Sequence, residues 1–543
     1  MSTTPVETAA RFPSAPRGSS NPRGLASSTT LGNNDRDAGG SGSTTTTNTD
    51  TANTATRAAT DAEGLKAIVD ATDVDTLVAT MRGHEQSALV QGRACAALSM
   101  LSSGSDKNII LAEEAGAMEA VVAAMHTHSG NAVVQGQACG VLIDMPFNGR
   151  TETRTRAGSA GAIEAVLAAM RGHTSSKGVQ EQACGALWGM IAGFAKNQTA
   201  ARRAGAVEAI LVAMRMHVGS AGVQQDACGA LRSITRGNTK NITRAGKIGA
   251  VASVVAAMQG HAESLVVQET ACGALRSLTS SLADNQIRAG KAGAVEAVVA
   301  AMRKYAGDGG VQYFACGALR NMSSGIADHK IRAGKAGAVE AVVAAMRRHE
   351  GDSGIQQRAC GALRNLTFGD AQNLSLAEKA GAVEVVLAAM SRHAAIEGVQ
   401  ERACGILKNL TSGITETRVQ AVNIRAVKAV VAGMLGHQGS APVQKAACAT
   451  LRNLTINSTE ARTKAGEAGA VEAAVAAMRG HATSAGVHEL ACVALYVLTG
   501  GNTKNKTRAQ SAGAKALAEA AMQAHSGNAK VVEEAGDLLK QLS

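Results

Sequence analysis

Ten cysteines and ten of the histidines stand at nearly constant intervals along this chain, and thiols and imidazoles are common metal ligands and nucleophiles. The cysteines are Cys95, Cys139, Cys184, Cys228, Cys272, Cys316, Cys360, Cys404, Cys448 and Cys492, spaced by 44 residues except for one interval of 45. Each occupies the same place in its own segment, about one packed-helix width, 8–10 Å, from the next. A disulfide needs Cα atoms within about 7 Å, so small buried thiols are expected rather than bridges. The histidines are His84, His128, His173, His217, His261, His349, His393, His437, His481 and His525, with Tyr305 in the one gap. None has a second ligand at zinc spacing, and Tyr305 could not maintain such a site. Capping of the last helix carbonyls is the expected role.

Other chemical signatures also dissolve on inspection. Asn321, Asn365, Asn409 and Asn453 open Asn-x-Ser/Thr sequons, yet in helices and without a signal-peptide core they are not expected to carry glycans. The AGKAG strings lack the GK[ST] ending of a phosphate-binding loop. No nucleophile elbow or paired-carboxylate site occurs, so no catalytic residues, cofactor or metal site is expected and the chain is read as non-enzymatic.

The elements that carry these residues repeat with the same beat. Met81, Met125, Met170, Met214, Met258, Met302, Met346, Met390, Met434, Met478 and Met522 keep it too. A period in the forties signals stacked helical units, none able to bury its apolar face alone. Residues 326–369 form a clear copy, IADHKIRAGKAGAVEAVVAAMRRHEGDSGIQQRACGALRNLTFG. A short first helix ends at Gly337, where the chain must turn. A second helix places Val339, Val342, Val343 and Met346 on one face, with Glu340 early and Arg347, Arg348 and His349 late, in accord with the helix dipole. After EGDSG, a third helix buries Ile355, Ala359, Leu363 and Leu366. The units fall near 62–104, 105–149, 150–193, 194–237, 238–281, 282–325, 326–369, 370–413, 414–457, 458–501 and 502–543. The first lacks the turn glycine, and the last has Gly536 in place of Cys, followed by Asp537, Lys540 and Gln541, as polar caps should. Arg425 stands where neighbours have Gly337, Gly381 and Gly469, so that turn must be rebuilt or strained.

Composition agrees. Aromatic residues are only 2% of 543, too few for large aromatic cores, while 45% are apolar and suited to close helix packing. Four of six prolines lie in the first 22 residues, leaving the remainder free to be helical. Residues 1–61, rich in Ser, Thr, Asn and Gly, are expected to be a disordered tail. The net charge of +11 lies in the repeats and permits an acidic partner without demanding nucleic acid. No apolar stretch reaches membrane-spanning length, no signal-peptide core is present, and Ser2 precludes myristoylation. Residence in the cytoplasm or nucleus is the expectation.

A 44-residue three-helix unit with a Gly–Ala–Val/Ile turn and a VQ…A-C-G-A-L-R-N-L-T third helix resembles the armadillo repeat. The wording is similar to the armadillo domains of leucine-rich-repeat kinases and of vacuole-anchored scaffolds, and more distantly to β-catenin and importin-α. The resemblance implies an all-α armadillo solenoid, a right-handed superhelix of about 10–11 three-helix repeats, whose third helices line a concave groove that holds extended peptides. The corresponding groove positions are Arg232 and Ser233, Arg276 and Ser277, Arg320 and Asn321, Arg364 and Asn365, Lys408 and Asn409, and Arg452 and Asn453. At 8–10 Å per layer this basic, amide-bearing track would run about 50 Å, enough for roughly 15 extended residues. It implies a monomeric protein-binding scaffold for an extended acidic segment. Importin-α places a Trp where this chain has Gly317, Gly361 and Gly405, which argues against a nuclear-transport adaptor. The scarcity of stacking aromatics argues against an RNA-binding helical repeat.

Overall fold

A glycine in the left-handed region sets the geometry of nearly every unit. Gly337 has φ 79° between the helices Ala327–Ala336 and Ala338–Arg348, a conformation that a Cβ would strain. The chain then passes through a polar loop into the third helix, Ser353–Thr367, whose N-cap Asp352 accepts from the Ile355 amide at 2.8 Å. In the computed structural model, which describes residues 48–148, 151–280, 282–411 and 416–543, this plan recurs from end to end. The described residues form thirty-two helices and no strand.

The packing follows the expected phases. Val339, Val342, Val343 and Met346 of the second helix and Ile355, Ala359, Leu363 and Leu366 of the third are all buried. All ten cysteines are free and buried at third-helix positions facing this core. Burial pushes the Cys316 and Cys360 thiols up to about 12, because a thiolate would be stranded among apolar side chains. Each third helix packs on its counterparts in the units before and after, giving one uninterrupted stack from Ala88–Ser102 to Ala529–Leu542.

Two departures concern boundaries. The helix Asn48–Asp70 begins inside the segment read as a tail and packs on the first unit, so the expected boundary at residue 61 falls within a helix. Residues 1–47 lie outside the described residues. In the ninth unit the chain from Glu416 to Gly436 is one continuous helix. With Arg425 exposed on it, the turn expected from its neighbours is replaced by helix.

Buried amides fasten each unit internally and to its neighbour. In the Val/Ile-Gln pair of the third helix, Gln356 Nε2 donates to the carbonyls of Met346 at 2.8 Å and His349 at 3.0 Å, closing the turn between second and third helices. The first helices carry a second set: Asn373 Nδ2 donates to Leu366 of the preceding unit's third helix and to Lys330 of its first helix, both at 3.0 Å. Gly334 is what makes room for it, since a Cβ there would overlap Asn373 Oδ1. The AGKAG strings are thus contact sites between units, as well as turns.

The histidines act between units, which corrects the expected capping role. His349 Nε2 bonds the carbonyl of Ala306, 43 residues earlier, at 2.8 Å, and His128, His173, His217, His261, His393, His437 and His481 do the same to their own preceding loops. Second-helix arginines reach in the opposite direction. Arg303 Nη2 caps the Ala336 carbonyl at 2.9 Å and Arg479 caps Ala512 at 2.8 Å.

Candidate partner-binding groove

The basic residues before the final leucine of each third helix do line one continuous face, but they lie flat along it. Arg232, Arg276, Arg320 and Arg364 each extend over the glycine of the next unit. A Cβ on Gly273, Gly317, Gly361 or Gly405 would meet the Cδ of Arg232, Arg276, Arg320 or Arg364 at 3.0, 2.7, 2.8 and 2.8 Å. Trp188 occupies the arginine place in the third unit and lies over Gly229 in the same way, where a Cβ would overlap its indole ring. The glycine in A-C-G-A-L is therefore a seat for the preceding unit's side chain. Where Lys408 replaces arginine, the next unit has Ala449.

The heads of these side chains find different surroundings along the face. Arg232 crosses two units to place its guanidinium 4.2 Å from the centre of the Phe314 ring. Burial, with Arg236 and Arg276 nearby, pushes it down to about 10, so it remains charged at neutral pH. Arg276 and Arg358 approach Tyr313 at 5.7 and 3.6 Å. Arg320 is half-buried and points toward Arg402, while Arg364, Lys408 and Arg452 are exposed. Arg364 Nη1 comes within 4.0 Å of Glu401.

The asparagines beside them are already partly committed. Nδ2 of Asn321, Asn365, Asn409 and Asn453 donates to the carbonyl of Arg276, Arg320, Arg364 and Lys408 at 2.9, 2.8, 2.9 and 3.2 Å. One N–H of each amide thus ties successive third helices together. In Asn321 and Asn365 the second N–H and the Oδ1 lone pairs are the groove's bonding capacity. Gln541 makes the same bond to Tyr496 at 2.6 Å in the last unit. Ser233 is buried and Ser277 half-buried, so the first two layers offer mainly their arginines. The sequon amides are bound into this ladder, and Thr367 and Thr455 are buried and donate within their own helices.

Among the described residues no group of three His, Cys, Asp or Glu side chains could hold a metal ion, and no helix is long and apolar enough to cross a membrane.

The family model described as LRRK2 ARM repeat matches residues 75–322 and 373–542. The chain belongs to the armadillo-repeat family. An engineered protein solved by a structural-genomics consortium superposes on this armadillo chain with a TM-score of 0.57 at 24% identity, over 87% of this chain and 99% of its own. A chain solved in work on a phosphorylation switch controlling the interaction between cadherin and β-catenin gives 0.68 at 15% identity, over 90% and 96%. These likenesses show the armadillo fold. Among curated proteins none matches.

Sequence reasoning missed the fastening amides and the glycine seats. Their signal was present in the joint recurrence of Gln after Val or Ile and of Gly one repeat after Arg, but only the folded stack shows which residues meet.

Proposed function

We propose that this armadillo solenoid is a non-enzymatic scaffold that holds an extended, acidic protein segment along its third-helix face, acting as a monomer in the cytoplasm or nucleus. The observation that carries this reading is the row of six basic residues at one third-helix register, one per unit from Arg232 to Arg452, the first four of them laid along the glycines of the next unit. Carboxylates can be recognised by the arginine forks. The amides of Asn321, Asn365 and Asn453 lie on the same face as acceptors and donors for a peptide backbone.

The test is charge reversal at the exposed end of the row, with Arg364→Glu, Lys408→Glu and Arg452→Glu combined. Exposed helix positions tolerate substitution within about 0.5 kcal/mol, so the fold should persist. Arg303, Arg347 and Arg479 are unsuitable controls because each caps a carbonyl of the next unit. A matching control reverses the exposed Lys247, Lys291 and Lys335, a place where the tenth unit already carries Glu467. Calorimetric titration with an octaglutamate peptide should show binding by wild type and control, weakened steeply by salt, and none by the groove variant. Binding lost by the control and kept by the groove variant would move function to another face.

A further inference from the structure

We propose that the cavity between Arg320, Arg364 and Arg402 binds a doubly charged phosphomonoester, presented as a phosphorylated side chain on the extended segment held by the groove. The inference rests on the groove reading above and gives it a specific anchor. The cavity measures about 350 Å³, and its wall also includes Asn321, Ser324 and Asn365.

Comparison along the repeat identifies what is missing there. Two units earlier, the guanidinium of Arg232 lies on Phe314. By the same register Arg320 reaches the position of Arg402, so an aromatic face is replaced by a like charge. Arg402 Nη1 donates to the Gln357 carbonyl at 3.3 Å, which helps fix it. Gly361 allows both stems to pass, since a Cβ would lie 2.8 Å from Arg320 Cδ and 3.4 Å from Arg402 Cδ. Three guanidiniums thus converge against one carboxylate of the wall, Glu401, 4.0 Å from Arg364. Burial, followed by repulsion from Arg402, Arg276 and Arg364, holds the Arg320 guanidinium below its ordinary value.

An excess of two positive charges in a half-enclosed site matches a dianion better than a second carboxylate. Phosphate oxygens accept from planar arginine forks in pairs, and a phosphorylated side chain carries about −1.5 to −2 at neutral pH. The remaining amide capacity of Asn321 and Asn365 lies beside the cavity, where the backbone flanking a modified residue would run. A nucleic acid would require a series of phosphate sites with stacking rings, and no aromatic residue lines this cavity.

The test uses N-acetyl-O-phosphoserine N-methylamide and its glutamate counterpart as probes, titrated calorimetrically into the full chain at about 0.15 M salt. The phosphorylated probe should bind at least about tenfold more tightly than the glutamate probe. That margin should vanish in Arg364→Gln and Arg402→Gln and persist in Arg452→Gln. Lowering the pH from 7.5 to 5.0 should cost about tenfold, because the second phosphate pKa is about 6. Should the glutamine variants melt early, Arg364→Lys and Arg402→Lys keep the charge, and losing the forks should still narrow the margin. Equal binding of the two probes, or a margin that survives Arg402→Gln, overturns the phosphate site. So would tight capture of inositol hexakisphosphate or an RNA oligomer with no response to the phosphoserine probe. Octaglutamate separates the two readings: if it binds while the probes do not differ, the groove stands and the phosphate site falls. Phosphoserine binding without octaglutamate binding keeps the phosphate site and removes the acidic-segment groove.

Discussion

Tyr305 Oη donates to the carbonyl of Ala262 at 3.0 Å, making with a phenol the bond that eight other units make with an imidazole. What recurs at this position is a ring whose polar tip reaches a backbone oxygen about 43 residues earlier.

Tyr305→His should therefore be nearly neutral, within about 0.5 kcal/mol, whereas Tyr305→Phe should cost about 1 kcal/mol by leaving the carbonyl without its donor. His349→Phe should cost a similar amount. Urea unfolding of the three variants checks this. A Tyr305→Phe protein as stable as wild type would show that water satisfies the carbonyl equally well.

The seat at Gly361 predicts a reversal of sign. Gly361→Ala alone gains up to about 1 kcal/mol of helix propensity but forces the middle of the Arg320 stem aside, an overpacking cost of about 1–3 kcal/mol. The single variant should be destabilised by about 1 kcal/mol. In an Arg320→Ala background the same substitution should stabilise. A double-mutant cycle of thermal melts measures the coupling, and additive effects would mean the stem moves freely.

Each of the expected helix phases was legible because apolar spacing reports burial directly, as Val339, Val342, Val343 and Met346 show. The turn glycine was legible for the same kind of local reason, since positive φ at Gly337 is a property of one residue. The roles of His349, Gln356 and Gly361 were not, because each depends on a group outside its own helix. Asn365 was named as a groove residue on family likeness, and its bond to Arg320 shows that half of its amide serves the stack. Arg402 carried no signal, since it lies nearly two helical turns before the ladder positions of its own helix and matters only through Arg320.

The thiols predict an alkaline limit. Cys316 and Cys360 are pushed up to about 12, so between pH 9 and that value the unfolded chain loses protons that the folded chain keeps. Their contribution is fully present below pH 9 and disappears as pH rises through the folded value. Cys316→Ala and Cys360→Ala should flatten the loss of melting temperature above pH 9. Cys316→Ser and Cys360→Ser should each cost about 1–3 kcal/mol at pH 7 for a buried hydroxyl without a partner. Thiol reagents should modify none of the ten cysteines until denaturant is added.

At the far end the sign is opposite. His488 replaces the glutamine of nine other units, donates from Nε2 to Met478 at 3.1 Å, and meets His525 through Nδ1 at 3.0 Å. Burial, then the neighbouring His525 and His481, holds its imidazole below the ordinary value. Protonation at Nδ1 would face the His525 N–H, so the unfolded state binds the proton more readily. Stability of the last unit should be full above about pH 6.5 and fall as pH drops below it. Hydrogen exchange of residues 503–542 at pH 7.5 and 5.0 should show this, and His488→Gln should abolish the difference.

The joints made by His349, Tyr305 and Arg303 all end on main-chain oxygens, which every amino acid supplies alike. Such a joint does not inspect the side chains of its neighbour, and the pairs that do, such as Gly334 with Asn373, travel together whenever a whole copy is duplicated. Lengthening or shortening the array by one complete period therefore leaves these main-chain joints intact at the new junction. Unequal recombination between copies can thus alter the reach of the binding face in one genetic event, while point substitutions adjust what each layer grips.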